Sequence, residues 1–489
     1  MPPDRSYSLP PVGESRKWWT LVGACTGLFV LMLDSTVVAL ALSSIRSDLG
    51  ASAAELQWVM NGYLLTIAVL VVTAGRFGDM FGRKRVFLVG MVLFGAGSVL
   101  SGAATGPLML IGGRVLQGMG AAPVLSLSLA IVCNAFPAAE QPRALGIWAA
   151  VSAVALAIGP VVGGALVEID WRLIFWINLP VVLAGIAIVL AAAPESTDPG
   201  AGRHVDLAGL LALTLGLGGI VLAMIQSREW PAGLTAALAA LGVASLAAFA
   251  LIERRVREPI VEFGLFRNGP YFGASAAAFA VVGSYWAVMF FQPQYLQDAR
   301  GHSAILSGLL ILPVTVPMVF ISPFSGRLIG RFGARGLMSA GMVCGTAGLL
   351  LLTRIAADSP YGLILAGYLL FGIAIGLVYA PMSTAAMAAM PAEKVGIASG
   401  ALAMDRIVAG SLALAATGAA FHALQASGDS FTASIAGSTW VAVVLCAIGT
   451  GLTWAFVRDP ASRGPDPAVA GDPEPGSLQH HRHHRRFHL

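Results

Sequence analysis

Apolar stretches long enough to cross a bilayer recur fourteen times along the chain. They lie at 18–42, 56–75, 86–104, 108–133, 143–167, 173–193, 206–226, 231–252, 271–292, 304–330, 336–354, 361–387, 396–423 and 434–456. The hydrocarbon core of a membrane takes about 20 such residues per helix. The runs 304–330, 361–387 and 396–423 exceed that length, so tilt, kinks or loop residues are included in them. The runs are continuous rather than alternating, which excludes a spanning β-barrel. The pattern predicts an all-α membrane protein of fourteen transmembrane helices.

Polar positions cluster between the runs, and their charge sets an orientation. Of the 29 Lys and Arg residues, 22 fall in segments on the side that holds both chain ends, and five fall on the other. Arg114 and Arg406 sit within spans. Basic residues are retained on the cytoplasmic side of a membrane, so both termini are expected inside. The first run is too long for a cleavable signal and lacks a small-residue cleavage pattern; it reads as a retained signal-anchor span.

Composition agrees. The chain has 489 residues, 57% hydrophobic and only 11% charged, with mean hydropathy +0.80; a soluble domain carries about 25% charged residues. The net charge of +4 is explained by basic loops and requires no nucleic acid. The four cysteines (Cys25, Cys133, Cys344, Cys446) stand alone in apolar runs, without metal spacing, and read as buried hydrophobes. No phosphate-binding G-x-x-x-x-G-K-[ST] pattern and no nucleophile–base constellation occurs. Neither cofactor, catalytic residue nor metal site is expected. The tail 458–489 is Pro/Gly/Asp-rich, then His/Arg-rich, and is expected to be a disordered, solvated segment, with metal binding the minor alternative.

An internal echo organises the chain. "GRFGDMFGRKR" (75–85) aligns with "GRLIGRFGARG" (326–336) at Gly75/Gly326, Arg76/Arg327, Phe81/Phe332 and Gly82/Gly333, with Lys84 opposite Arg335. Each copy joins the second and third span of a six-span set. The expected parts are a cytoplasmic start 1–17, a six-helix half 18–193, a two-helix insert 206–252, a second half 271–456 and the tail. Duplication of this kind points to a transporter with its substrate site near the midplane between halves.

Within the spans, Asp34 lies mid-run on a helical face with Gly23 and Gly27. A charge there costs at least about 2.5–3.5 kcal/mol, so it faces a cavity or a partner and marks function by default. An acid that exchanges a proton at that depth is what a proton carrier needs; the bland alternative is a static ion pair. Arg114 is a candidate partner. Asp405 and Arg406 are adjacent and point about 100° apart on a helix; they read as a second protonation or cation site, or as a structural pair. Gln57, Trp58, Asn61, Trp286 and Tyr379 are candidates for a hydrophobic substrate pocket, although most such aromatics pack or anchor at the interface.

The stretch 75–85 resembles the loop 2–3 signature of the major facilitator superfamily, carried by Gly75, Asp79, Gly82, Arg83 and Lys84. "RVLQGMGAA" (114–122) resembles its span 4 basic motif, and "GPVVGG" (159–164; Gly159, Pro160, Gly163, Gly164) its span 5 antiporter motif. "LDSTVVALAL" (33–42), "LQWVMNGYLL" (56–65), "DWRLIFWINLP" (170–180), "LFRN" (265–268) and "LILP" (310–313) are similar to motifs of the fourteen-span drug:H⁺ antiporters, the EmrB- and QacA-like group. Ala39 departs from the Asn usual there. Arg406 matches an arginine common in that group.

The resemblance implies alternating access and proton-driven export of amphipathic or cationic drugs by a monomer in the bacterial inner membrane. It also favours reading loop 2–3 as a gate latch rather than a plain topological anchor. In that reading Asp79 accepts hydrogen bonds from a helix N-terminus of the other half, held by Arg83 and Arg143 with Glu140 beside them. The second copy has Gly330 where the first has Asp79. Rival readings are an exporter or importer of one specific metabolite, a transport-dead membrane sensor and a membrane enzyme; the span 5 motif and intact Asp34, Asp79 and Arg114 argue against them.

Overall fold

The computed structural model describes residues 13–198, 205–256, 259–391 and 394–458. The His/Arg-rich part of the tail and residues 1–12 lie outside these. Fourteen helices are long and apolar enough to cross a membrane: α1 (Glu14–Leu49), α2 (Ala53–Phe81), α3 (Arg83–Gly102), α4 (Pro107–Ala135), α5 (Gln141–Val167), α6 (Leu173–Ala192), α7 (Leu207–Ile225), α8 (Ala232–Glu253), α9 (Gly269–Ala299), α10 (Ala304–Ser322), α11 (Arg327–Leu352), α12 (Tyr361–Ala388), α13 (Val395–Ala426) and α14 (Phe431–Phe456). Among the described residues there is no strand.

All fourteen runs are helical, and the boundaries shift where polar residues continue a helix beyond the hydrocarbon. Helix α1 extends past its run at both ends and stops where Gly50 takes the left-handed conformation. Helix α9 is prolonged by a π-helical turn, Tyr295–Ala299. The start of α2 is fixed by a capping box, in which Ser52 and Glu55 satisfy each other's backbone amides.

The sequence echo is also a backbone echo. Gly82 and Gly333, aligned in the two copies, both have positive φ, 111° and 74°. At Gly82 the chain reverses between α2 and α3. Gly333 reverses the chain in the same way: residues 313–321 run parallel to α12 and residues 341–348 antiparallel to it, so the helices on either side of Gly333 are antiparallel. The same glycine thus makes the turn between two antiparallel helices in each half.

Helices α7 and α8 pack on each other, Gly216 and Gly242 admitting Leu246 and Ile220. Val221 and Ile225 of α7 meet Ala54 of α2 and Ala415 of α13, with Trp58 against the same cluster. The pair therefore docks where α2 and α13 meet. Only 17% of the apolar window of α8 is buried, so its leucines and valines (Leu234, Leu241, Val243, Leu251) face outward, as lipid-facing positions do.

Gly82 carries two constraints at once. A Cβ there would lie 2.7 Å from the Glu195 carboxyl carbon, and the φ is one that L residues rarely adopt. Gly82→Ala is expected to cost about 1–3 kcal/mol, read as a lowered unfolding midpoint of the detergent-purified protein.

Candidate functional site

Helix α1 carries Asp34 into the first six helices rather than toward open space. Gly23 and Gly27 give it room: Cβ atoms there would come within 2.7 Å of Val189 on α6 and Phe87 on α3. Asp34 and Arg114 are both fully buried. Arg114 Nη1 is 2.5 Å from Asp34 Oδ2. The other carboxylate oxygen accepts from Asn178 Nδ2 (2.8 Å) and Gln117 Nε2 (3.1 Å). Gln117 and Asn178 also donate to the Ser98 hydroxyl, at 2.8 and 3.2 Å. Arg114 Nε donates to the Val59 carbonyl at 3.1 Å, and its guanidinium lies 4.2 Å from the centre of the Tyr63 ring.

Five helices, α1, α2, α3, α4 and α6, thus converge on one ion pair. Desolvating two charges is repaid only when further hydrogen bonds complete the geometry, and here amides supply them. Two atoms of the cluster, Arg114 Nη2 and Asn178 Oδ1, are buried without a partner, which leaves room for rearrangement.

Asp34 and Arg114 were legible in the sequence; Gln117, Asn178 and Ser98 were not singled out. A signal existed for the amides, because each is a strongly polar residue inside an apolar run.

The second candidate pair does not pair. Asp405 accepts from the Ser275 hydroxyl at 2.8 Å, while Arg406 lies 5.3 Å from the Tyr379 ring centre. They diverge as their helical phase requires.

Loop 2–3 is held within its own half. Arg83 Nη2 is 2.7 Å from Asp79 Oδ1, and the Asp198 amide donates to the Asp79 carbonyl at 3.0 Å. Glu195, unforeseen from sequence, accepts from the amides of Lys84 (3.0 Å) and Arg85 (3.2 Å) at the start of α3. Lys84 Nζ donates to the carbonyls of Leu190 and Ala193. The expected group around Asp79 is divided: Glu140 pairs with Lys17 at 2.8 Å, and Arg143 lies 5.1 Å from the Trp18 ring centre. The reason is topological, since the start of α5 lies beside the start of α1.

The four motif residues of α5 face two helices at once. A Cβ on Gly159 would lie 1.8 Å from Thr36 Oγ1, and one on Gly163 2.9 Å from Val37 Cα, both on α1. One on Gly164 would lie 2.6 Å from the Ala304 carbonyl, and one on Gly308 of α10 2.2 Å from the Pro160 carbonyl. On the face opposite the chain ends, Arg46 bridges from α1 to Asp298 (3.2 Å) and Gln294 (3.0 Å) of α9.

The proposed pocket residues separate. Gln57 Nε2 is 2.9 Å from His422 Nε2, and Asn61 Oδ1 accepts from Ser411 at 2.9 Å, so both lie at the α2–α13 seam. Trp286 fills the groove at Gly410 of α13. Trp58 instead packs toward α7. A cavity of about 610 Å³ opens on the face opposite the chain ends, lined by Ser43, Arg46, Asp298, Ile355 and Phe431; none of the five predicted pocket residues lines it.

The family model of the Major Facilitator Superfamily matches residues 24–413. The chain is 36% identical over 393 residues to the multidrug resistance protein Stp of Mycobacterium tuberculosis (strain CDC 1551 / Oshkosh), covering 80% of this chain and 73% of that one. It is 34% identical over 390 residues to the tetracenomycin C resistance and export protein of Streptomyces glaucescens, covering 79% and 72%. Among solved structures, a D-xylose-proton symporter superposes with a TM-score of 0.65 at 14% identity, covering 90% and 98%; that likeness concerns the fold alone.

Replacing Arg114 by Met leaves Asp34 buried and uncompensated. The expected loss is about 3–5 kcal/mol, seen as a lower unfolding midpoint in detergent. Arg114→Met combined with Asp34→Asn is expected to recover much of it.

Proposed function

The chain belongs to the Major Facilitator Superfamily, and from that premise we propose that it is a proton-coupled exporter of amphipathic or cationic drugs and antibiotics. It is a multi-pass membrane transporter of a single chain. The two relatives named above are a multidrug resistance protein and a tetracenomycin C resistance and export protein, which supports export over import. The basic face that bears both chain ends is read as cytoplasmic in a bacterial inner membrane. The working parts are read as two six-helix halves, 18–193 and 271–456, with 206–252 as an insert, acting as a monomer.

The observation that carries the reading is the fully buried Asp34–Arg114 pair inside its ring of amides. A proton arriving on Asp34 cancels its charge and its attraction to Arg114. Gln117, Asn178 and Ser98 then re-partner, and α1 and α4 are released from the electrostatic tie that joined them. Proton binding is thereby converted into helix displacement, with two unpartnered atoms already available for the new hydrogen bonds. Asp405, bonded to Ser275, is the second acid available for this chemistry, with Arg406 and Tyr379 beside it. Substrate is expected to meet the seam formed by Gln57, Asn61 and Trp286. Asp79 and Arg83 are read as the cytoplasmic gate.

The test is efflux from a drug-sensitive bacterial strain lacking its own pumps. Cells loaded with ethidium and then energised are expected to lose fluorescence, and a protonophore is expected to abolish that loss. Asp34→Asn is expected to lower the rate at least about tenfold at normal expression. Unchanged efflux in Asp34→Asn would move the proton to Asp405 or elsewhere. Asp79→Asn is expected to insert normally and to fail in transport; full activity in that variant would remove Asp79 from the gate.

A further inference from the structure

On the face opposite the chain ends, the two sets of six helices touch along α5 and α10. The contact is close because glycines make it: Gly164 against the Ala304 carbonyl and Gly308 against the Pro160 carbonyl. That approach brings Glu168, the first residue after α5, to the beginning of α10. Its Oε1 accepts the Ile305 amide at 3.1 Å. Ser303 is the N-cap of α10, its side chain accepting from the Leu306 amide.

We propose that Glu168 is a latch of the transport cycle: a carboxylate of one half seated on the helix N-terminus of the other, favouring the state in which this face is shut. The proposal rests on the alternating-access reading and on this face being the outer one. Unsatisfied amides and the helix dipole make an N-terminus attractive to an anion. The Ser303 hydroxyl and the Ile305 and Ala304 amides hold the Glu168 carboxyl below its ordinary value, which is the mark of a stabilised anion.

Only a contact that differs between two states can shift their balance, and this one qualifies. It exists while the end of α5 and the start of α10 touch, and it is lost when they part. The neighbouring Arg46–Asp298 pair joins two part-exposed flexible side chains, at 34% and 28%, and such pairs are worth little. Glu168 is itself exposed and differs from that pair in its partners, which include backbone amides already fixed by the helix. The sequence placed a carboxylate latch at Asp79, on the opposite face, where the carboxylate is bonded to Arg83.

The experiment uses Ser43→Cys as a reporter. Ser43 lines the cavity on this face, half-buried with its hydroxyl covered, so further opening raises its access to the reagent. Right-side-out vesicles carrying the full chain are labelled with a membrane-impermeant maleimide, with the same proteins lacking Ser43→Cys as background for the native cysteines. Adding Glu168→Ala is expected to raise the labelling rate roughly two- to fivefold, the equilibrium shift that corresponds to a typical helix-dipole contact. Gly308→Ala opens the seam by a different route, because its Cβ would meet the Pro160 carbonyl, and is expected to raise labelling with Glu168 intact. Unchanged labelling in a well-expressed Glu168→Ala protein overturns the proposal, and a rise in Gly308→Ala alone would assign the seam to helix packing. The labelling needs no proton gradient, so a failure of the coupling role of Asp34 would appear in efflux and leave this result standing.

Discussion

An ion pair with no access to water is the constraint around which the first six helices are arranged. Asp34 and Arg114 each show 0% exposure. In so apolar a bundle neither charge is tolerable alone, and the pair itself is tolerable only with its remaining valences satisfied. That requirement explains why an asparagine from α6 and a glutamine from α4 converge on one carboxylate, with a serine from α3 accepting from both. It explains the glycines too, since Gly23 and Gly27 let α6 and α3 come near enough. The polar centre and the glycine-lined contacts are therefore one design: small residues permit the approach, and the charge makes the approach necessary.

Between the halves the logic changes from charge to shape. Gly159 and Gly163 of α5 seat α1, while Gly164 and Gly308 seat α5 on α10. At α2–α13 the approach is again made at glycine, Gly418 leaving space for Gln57. Among the described residues, side-chain hydrogen bonds cross these seams from Arg46, Gln57 and Glu168 and between Asn61 and Ser411, and of these the charged ones lie at the outer rim. A seam with that composition can part without leaving a buried charge behind, which a moving interface requires and the Asp34 cluster forbids.

Much of the helical layout was legible because a bilayer demands continuous apolar runs, and fourteen runs gave fourteen helices. The loop echo was legible for a conformational reason, since only glycine takes the φ found at both Gly82 and Gly333. What escaped was partnership. Nothing in the spacing of "APES" says that Glu195 will cap the start of α3, 111 residues away in sequence from Lys84. Nothing in "EQPRALG" says that Glu140 will find Lys17 rather than stand by Asp79. Such pairings depend on which helix ends become neighbours, and periodicity carries no information about that. Asn178 and Gln117 lie between these cases, for polarity inside an apolar run marks them as important without naming Asp34 as their partner.

The two copies of the loop motif show how a duplicated element diverges in its side-chain contacts while keeping its backbone. In the first copy Gly82 is enclosed by the Glu195 carboxylate, and Lys84 and Arg83 tie the turn to the segment after α6. In the second, Gly330 stands opposite Asp79 and has open space around its Cβ position. Gly333 separates two antiparallel helices, as Gly82 does. The two copies thus keep the same backbone turn and differ in their side chains: the acid that pairs with Arg83 in the first copy is glycine, Gly330, in the second.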